Sequence, residues 1–263
     1  MEPNGGPGTG LTDAAGAGRL DPLLYPWDPP EASGVMDSAG FLPLELAMGL
    51  DQALAEADAA PLGSRSIVVS FGSNSSADVM RRKFANYHRP VSTILPLVRG
   101  QLHNIAVGHS AHVSRAGYIA AAPYPLMGEC TPVWVSWLDE RQLMALDETE
   151  PNYRRIQLDG AACPLEVDHG EPAEDFSLFT SRWGVLSDVD GGKLPFLDQP
   201  ALFGLLAGIA AGESVQDGES VFDGPPERVI EKLGLPSVQS WAKDWFSSSG
   251  LATPVHFDGF CAE

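Results

Sequence analysis

Cysteine is scarce in this sequence. Cys130, Cys163 and Cys261 are the only three, and none of them stands in the C-x-x-C spacing of a zinc knuckle or a redox pair. An odd and small number of cysteines argues against a disulfide framework and fits a reducing compartment. We therefore expect a cytoplasmic protein.

Basic residues are also few. The chain has 16 Lys and Arg residues against 35 Asp and Glu residues, which gives a formal net charge of −19. No cluster of Lys and Arg offers the positive stripe that neutralises phosphates, so nucleic acid is not expected as a ligand. The acidity itself indicates a solvated surface and no particular partner.

Long apolar runs are missing as well. The most apolar stretch, residues 201–211, is shorter than the roughly 20 residues that cross a bilayer, and glycines interrupt it. It fits a buried helix better than a membrane span. The first six residues lack the basic and apolar regions of a secretory signal. We expect no membrane association.

Gly, Pro, Ala and Asp are prominent in residues 1–63. Such a composition is typical of a flexible, low-complexity segment. Its only periodic stretch, residues 41–56, predicts one amphipathic helix. We expect an N-terminal extension over residues 1–63, in which this helix is a candidate docking element for a protein partner. One folded domain over residues 64–263, with C-terminal helices, is expected to follow.

The first strong structural signal is a strand followed by a tight loop and a helix. Residues 66–70 are rich in β-branched side chains and lead into the Phe-Gly-Ser-Asn sequence of residues 71–74. Ser75 and Asp78 stand in capping-box spacing, which predicts a helix from about Ser76. Backbone N–H groups at such a helix end can bind a carboxylate, although an ordinary connection without a ligand fits the same spacing.

The remaining pattern favours an α+β fold, a small mixed β-barrel flanked by helices. Few helices separate the strand candidates, which argues against a doubly wound α/β fold. Ser136 and Asp139 form a second capping-box spacing and predict a helix that must end before Pro151. The strand candidates are residues 100–107, 117–122, 131–137, 156–158 and 176–179, and the later helix candidates are residues 200–211 and 227–246, the second interrupted at Pro236.

Glu150 is placed at the end of the predicted helix, directly before Pro151. A carboxylate at the negative end of a helix, half-buried beside Trp137 and Tyr153, is a candidate for moving a proton at neutral pH. The alternative is that Glu150 is one of several solvated acidic residues in the last helical turn.

A metal site is not predicted. His103, His109, His112 and Glu129 are the available ligand types, but His109 and His112 fall in a predicted loop and no carboxylate is placed to orient them. Surface or capping histidines are the favoured interpretation of these residues. No metal and no organic cofactor is therefore expected.

Two segments in this order resemble the gamma-glutamyl cyclotransferase family. The first is the strand that ends in Phe-Gly-Ser-Asn, ahead of a helix with two arginines at residues 81–82. The second combines Leu-Asp-x-x-Glu at residues 146–150 with Tyr-Arg-Arg at residues 153–155, and a Gly-x-Leu-x-Asn strand at residues 100–104 lies between them. The resemblance covers approximately residues 67–158.

The resemblance implies a fold, a reaction and a set of residues. The fold is a small barrel flanked by helices, and the substrate is a gamma-glutamyl amine, amino acid or peptide. Its α-amine attacks its own γ-carbonyl, which yields 5-oxoproline and a free amine without a cofactor. Glu150 would be the acid/base residue of this metal-independent acyltransferase or lyase. The implied substrate-binding residues are Phe71, Gly72, Ser73, Asn74 and Tyr153.

The sequence departs from the family pattern at three places. Phe71 stands where the family commonly has Tyr, Pro151 stands where it commonly has Gly, and Phe203 stands where a Tyr is expected near the C-terminus. Two alternatives therefore remain open. One is a hydrolytic or acyl-transfer variant of the same chemistry, and the other is a non-catalytic module of this fold that binds a metabolite or a protein partner.

Overall fold

The computed structural model describes residues 20–44, 49–170, 173–210 and 220–260. Its centre is one long antiparallel hairpin of β4 (Leu95–Val113) and β5 (Ile119–Leu138). The three short strands expected over residues 100–137 are parts of these two strands. The pairing shifts register at Asn104 and again after His109, and residues 126–129 bulge out of β5 opposite the first shift. A β-bulge accommodates extra residues within a strand. The residues that suggested strand ends in the sequence therefore lie within continuous strands.

The other strands build a mixed sheet around this hairpin. Along the sheet the order is β10-β9-β4-β5-β3-β8-β6, where β3 is antiparallel to β5 and parallel to β8. Three further strands, β1, β2 and β7, attach at β4 or at one another. The strands other than β4 and β5 are β1 (Gly34–Met36), β2 (Phe41–Pro43), β3 (Ser66–Ser70), β6 (Tyr153–Asp159), β7 (Leu165–Val167), β8 (Asp175–Ser181), β9 (Val185–Leu186) and β10 (Ala252–Thr253).

The sheet is mixed and open, so the expectation of a closed barrel is wrong. Closure requires the two edge strands to pair along their length. One edge, β10, has two residues and pairs with β9, whereas the other edge, β6, pairs with β8. The fold combines helices with a mixed sheet, as expected. The strands expected near residues 156–158 and 176–179 are confirmed, and they are β6 and β8.

Six helices of the described chain flank this sheet. They are α1 (Leu50–Glu56), α2 (Ala77–Ala85), α3 (Glu140–Thr149), α4 (Gln199–Ile209), α5 (Pro226–Leu233) and α6 (Pro236–Ser248). The last three share one apolar cluster with the end of the hairpin. Pro236 stands in the first turn of α6, where its missing N–H costs nothing, so the predicted interruption is confirmed. None of the described helices combines the length and the apolar composition of a membrane span.

Both capping-box predictions are wrong, although the helices begin and end close to the predicted positions. Ser136 is buried within β5, and the box that caps α3 is formed by Asp139 and Gln142. Ser75 donates a hydrogen bond to the Gly72 carbonyl at 2.6 Å and does not cap α2. Neither serine therefore caps its helix. The Ser75 hydroxyl bonds to the nearby backbone, and Ser136 lies in the core.

Much of the predicted extension packs against the domain. β1 pairs with β4, and Tyr25, Met36 and Leu54 are buried. The helix predicted over residues 41–56 forms only as α1, because residues 41–43 are the strand β2; residues 45–48 lie outside the described residues. Apolar side chains spaced among the prolines provide this packing. Residues 1–19 are also outside the described chain, and a domain boundary at residue 63 stays a prediction.

Replacing Met36 by Ala tests whether the N-terminal segment belongs to the cooperative fold. Met36 is 0% exposed, so Met36→Ala is expected to lower the free energy of unfolding by about 2–5 kcal/mol in urea titrations. Leu42→Ala in the neighbouring strand is the control, because Leu42 is 70% exposed and its loss should cost less than about 0.5 kcal/mol. Equal effects of the two variants would contradict the packing of this segment.

Candidate active site

A cavity of about 500 Å³ opens between the loop that follows β3, the end of α3 and one end of the long hairpin. Five of the six residues that sequence analysis assigned to the site line it: Phe71, Ser73, Asn74, Glu150 and Tyr153. The sixth, Gly72, lies in the same loop and lines a neighbouring cavity on its other side. The structure therefore brings the two distant motifs together, and their roles stay predictions.

The loop after β3 forms one 3-10 turn over Gly72–Ser75. Gly72 has a φ of 74°, a conformation that glycine adopts without strain. A Cβ atom at Gly72 would lie 2.2 Å from the hydroxyl of Tyr25. Glycine is thus required here both for backbone conformation and for the close approach of Tyr25.

Glu150 is the C-cap residue of α3, and its side chain turns toward the loop. Its Oε1 atom accepts a hydrogen bond from Asn74 Nδ2 at 3.0 Å and an ion-pair hydrogen bond from Lys83 Nζ. Lys83 also donates to Asn74 Oδ1 at 2.7 Å, which closes a ring of three polar side chains. Glu150 Oε2 makes no hydrogen bond with any described residue and remains available to a ligand.

The two neighbouring acidic residues, Asp147 and Glu148, have surroundings that differ from those of Glu150. The side chain of Glu150 is 13% exposed, whereas that of Glu148 is 48% exposed. Asp147 forms a bidentate pair with Arg155, with distances of 2.8 and 2.9 Å. The alternative that all three are solvated last-turn acids therefore fails for Glu150.

Tyr25 reaches the cavity from the N-terminal segment. Its hydroxyl accepts a hydrogen bond from the backbone N–H of Ala121 at 2.7 Å, and its ring stacks on Tyr118 with 4.4 Å between centroids. Trp27 contacts both rings edge-on. Sequence analysis missed Tyr25 and Tyr118. The only signal was the aromatic pair Tyr-Pro-Trp at residues 25–27, within a segment otherwise poor in large apolar side chains.

The three tyrosines of the cavity are held neutral. Burial, and to a lesser extent the nearby Glu150 carboxylate, raise the pKa of Tyr118 to about 12. Burial is also the main cause of the raised pKa values of Tyr25 and Tyr153, and the Glu150 charge contributes to both. Tyr153 Oη donates to the Ala121 carbonyl at 2.9 Å. The cavity wall therefore presents uncharged hydroxyl groups around a single carboxylate.

His112 lies in β4 and lines the cavity, not in a loop as expected. Burial, and to a lesser extent the positive charge of Lys243, lower its pKa to about 4, so the imidazole is neutral near pH 7. Its Nδ1 atom is 2.5 Å from Ser110 Oγ. The edge of its ring faces Tyr153, with 5.7 Å between centroids.

The other histidines considered as metal ligands have different surroundings. His109 Nε2 accepts a hydrogen bond from the backbone N–H of Leu197 at 2.9 Å, and His103 lies 3.0 Å from Glu166. Across the described part of the chain, no three His, Cys, Asp or Glu side chains are grouped so that they could hold a metal ion.

Two further observations concern residues around the cavity. Arg115 lies at its rim, is exposed, and makes no side-chain hydrogen bond or ion pair with a described residue. Phe203, expected to complete the pocket near the C-terminus, is instead 2% exposed in the apolar cluster of α4 to α6 and does not line the cavity. The approximate family counterpart at residues 196–208 therefore does not contribute to this cavity.

Comparisons with known proteins give weak likenesses. No protein-family model matches the chain, and no curated protein matches it. Among solved structures, one gamma-glutamyl cyclotransferase is 11% identical, with a TM-score of 0.38, over 68% of this chain and 98% of that chain. A protein of Arabidopsis thaliana known from a solution structure is 16% identical, with a TM-score of 0.35, over 58% of this chain and 96% of that chain. Both likenesses concern the course of the chain alone and carry no argument about activity.

Removing the hydroxyl of Tyr25 tests the contact between the N-terminal segment and the hairpin. Tyr25→Phe leaves the buried N–H of Ala121 without its acceptor and is expected to lower the free energy of unfolding by about 1–3 kcal/mol. Tyr124→Phe is the matched control, since the Tyr124 hydroxyl makes no hydrogen bond with the described chain. Chemical denaturation measures both, and equal stabilities of the two variants would refute the contact.

His112 gives the stability a defined pH dependence. The folded protein keeps this imidazole neutral down to about pH 4, whereas the unfolded chain takes up a proton near pH 6.5. The unfolded state therefore binds more protons between these values, and stability falls as the pH falls from about 6.5 to about 4.

The comparison is between the wild-type protein and His112→Asn. The wild-type free energy of unfolding is expected to fall relative to the variant by up to about 1.4 kcal/mol per pH unit within that window, and not above it. Urea titrations at a series of pH values measure the difference. A difference that does not change between pH 4 and pH 7 would contradict the neutral, buried state of His112.

Proposed function

We propose that this protein converts a gamma-glutamyl amine, amino acid or peptide into 5-oxoproline and a free amine, with Glu150 as the acid/base residue. The observation that carries the proposal is the direct hydrogen bond between Glu150 and Asn74, 3.0 Å long, at the edge of the cavity. This is the juxtaposition that the resemblance to gamma-glutamyl cyclotransferases requires. It joins two motifs that lie far apart in the chain.

The loop of residues 71–74 supports the recognition of a glutamyl group. Its residues form one 3-10 turn, and backbone N–H groups in such a turn can bind a carboxylate. The Ser73 backbone in this turn also interacts with the Tyr25 hydroxyl. Lys83 lies beside the loop, where its charge is paired with Glu150.

The proposed reaction transfers two protons from the α-nitrogen to the leaving nitrogen and exchanges one C–N bond for another. Glu150 accepts the first proton from the α-ammonium of the bound substrate, and the free amine attacks the γ-carbonyl carbon. The new C–N bond closes the five-membered ring, and the original amide C–N bond breaks as Glu150 returns this proton to the leaving nitrogen. The ring nitrogen gives up its second proton by the same route, so the products are a neutral lactam nitrogen and a free ammonium. The unbonded Oε2 atom of Glu150 is the atom available for this transfer.

The remaining contribution of the protein is to hold the substrate in a folded shape. Because nucleophile and electrophile belong to one molecule, the rate depends on keeping the α-amine near the γ-carbonyl. The rings of Tyr25, Tyr118 and Tyr153 bound the cavity on one side and Phe71 bounds it on another. Rigid aromatic walls of this kind restrict the conformations of a short flexible chain.

A second candidate function is a non-catalytic module that binds a glutamyl metabolite. The ion pair between Lys83 and Glu150 favours it, because a carboxylate already neutralised by an ammonium group has a partner without any substrate. In this alternative the loop and the cavity bind a ligand without turnover, and Glu150 only stabilises the arrangement of the loop.

The test is release of 5-oxoproline from a panel of gamma-glutamyl amines, amino acids and peptides. Glu150→Gln keeps the size and the hydrogen bond from Asn74 but cannot accept the proton, so kcat is expected to fall by at least ~100-fold. Glu140→Gln is the control, since Glu140 is exposed at the opposite end of the same helix and its variant should retain wild-type kcat.

The outcomes distinguish the two candidates. Turnover by the wild-type protein that is lost in Glu150→Gln and kept in Glu140→Gln supports the enzyme. Calorimetry that detects binding of gamma-glutamyl compounds to a wild-type protein without turnover supports the binding module. Turnover that survives in Glu150→Gln would sink the assigned role of Glu150.

A further inference from the structure

His112 belongs to a row of hydrogen-bonded polar groups behind the cavity wall. Ser110 and His112 lie on the same face of β4, and Ser181 lies at the end of β8. The distance from Ser110 Oγ to His112 Nδ1 is 2.5 Å, and that from Ser110 Oγ to Ser181 Oγ is 2.6 Å. The resemblance to the cyclotransferase family assigned no role to these residues.

The donors in this row have an arrangement that uses the hydrogen of each serine. The Tyr153 hydroxyl also interacts with Ser110, and it donates its own hydrogen to the Ala121 carbonyl. The backbone N–H of Trp183 donates to Ser181 Oγ at 3.0 Å, and each serine hydroxyl has a single hydrogen to donate. If Ser181 donates to Ser110 and Ser110 donates to His112 Nδ1, each hydroxyl hydrogen has an acceptor. The imidazole then carries its hydrogen on Nε2.

The opposite arrangement is less favourable. His112 would carry its hydrogen on Nδ1 and donate to Ser110, and Ser110 would donate to Ser181. Ser181 Oγ would then accept two hydrogen bonds, and its own hydrogen would have no acceptor among the residues that the structure describes. Partly buried hydroxyl groups without acceptors are costly, so the first arrangement is preferred.

The second nitrogen of His112 has no partner among the described residues. The residue is 5% exposed and lines the cavity, and Nε2 makes no hydrogen bond with any residue of the described ranges. A polar atom without a partner, on a residue that lines a cavity, is available to a ligand. The charged and titratable groups around it are Lys243, Tyr153 and Glu150; Lys243 and burial both disfavour the imidazolium form.

We propose that His112 contacts the substrate directly, as a neutral donor whose Nε2–H group binds an oxygen atom of the ligand. On the reaction proposed above, on which this identification rests, that oxygen is the γ-carbonyl oxygen. It gains negative charge when the α-amine attacks, and a fixed donor beside it stabilises that charge. His112 and Glu150 thereby have separate tasks, because one holds the developing charge and the other moves the proton.

Ser110 is a positioning residue in this arrangement. By donating to Nδ1 it fixes the hydrogen on Nε2 and the orientation of the ring. Ser110→Ala removes that donor without changing any group that lines the cavity. The imidazole is then expected to populate the Nδ1–H form as well.

The first experiment reads the hydrogen position directly by ¹⁵N NMR of histidine-labelled protein, with His112→Gln to assign the signal. The wild-type spectrum is expected to show a protonated Nε2 and an unprotonated Nδ1 between pH 5.5 and pH 8, and Ser110→Ala is expected to shift both nitrogens toward an average of two forms. A protonated Nδ1 in the wild-type protein would overturn the proposal.

The second experiment measures steady-state kinetics of 5-oxoproline release. Loss of one such donor typically lowers kcat by about 10²–10³-fold, so His112→Leu is expected to show that loss with a much smaller change in KM. His112→Gln, which can still present an N–H donor, is expected to recover part of kcat. His256→Leu, at an exposed histidine away from the cavity, is the control with unchanged kcat. Wild-type kcat in His112→Leu would overturn the proposal.

Failure of the proposed function can be told apart from failure of this inference. If the wild-type protein shows no turnover, the proposed function fails, and the His112 Nε2–H resonance is followed during titration with 5-oxoproline. A saturable shift that Ser110→Ala weakens supports a direct ligand contact. A resonance that does not move at saturating 5-oxoproline overturns it.

Discussion

The withdrawal of the Glu150 carboxylate from solvent is the constraint on which the rest of the site depends. A charged group at this depth is costly unless it is paired and hydrogen-bonded, and here an ammonium and an amide satisfy one of its oxygens. Those partners come from the loop after β3 and from α2. The end of α3, the loop and α2 therefore fix one another, and the cavity is the space left between them.

The cavity wall combines polarity with neutrality. Tyrosine hydroxyls and one imidazole face a single carboxylate. The hydroxyls are uncharged near pH 7 at their ordinary pKa, which burial raises further, and burial lowers the pKa of the imidazole so that it too is uncharged. Neutral dipoles held by backbone contacts do not have to reorient when charge develops on a bound molecule. Such a wall suits a ligand that carries its own charges. It suits a ligand whose charge distribution changes during ring closure, and also one that is only bound.

Sequence patterns correctly predicted the features that depend on interactions within a few residues. The end of α3 before Pro151 and the strand-loop-helix unit around residues 71–74 follow from backbone restrictions that act within a few residues. The resemblance then paired Glu150 with that loop. Features set by distant partners were missed: β1 looked like part of a flexible tail because composition does not reveal a pairing strand. The bulges of β4 concealed its continuity in the sequence. The pairing of edge strands is a long-range property too, so the sequence did not reveal that the sheet stays open.

The same division applies to the site. Phe71 to Asn74 and Glu150 were found because they stand in recognisable sequence motifs. Tyr25 and Lys83 were not. Tyr25 reaches the cavity from the N-terminal segment, and Lys83 contacts Asn74 and Glu150 from α2, and the sequence of neither element indicates these long-range contacts. His112 was weighed as a metal ligand in a loop. Its place beside Ser110 on one strand face becomes visible only when β4 is known to continue through it.

The contact between Tyr25 and Ala121 spans 96 positions of the chain. During synthesis, the aromatic segment at residues 25–27 leaves the ribosome well before the hairpin that receives it exists. Until β5 emerges, those rings lack the backbone of Ala121 as a partner and present an apolar surface to solvent or to a chaperone. The pocket therefore cannot form in the order of synthesis, because Tyr25 takes its place only after β5 has been made.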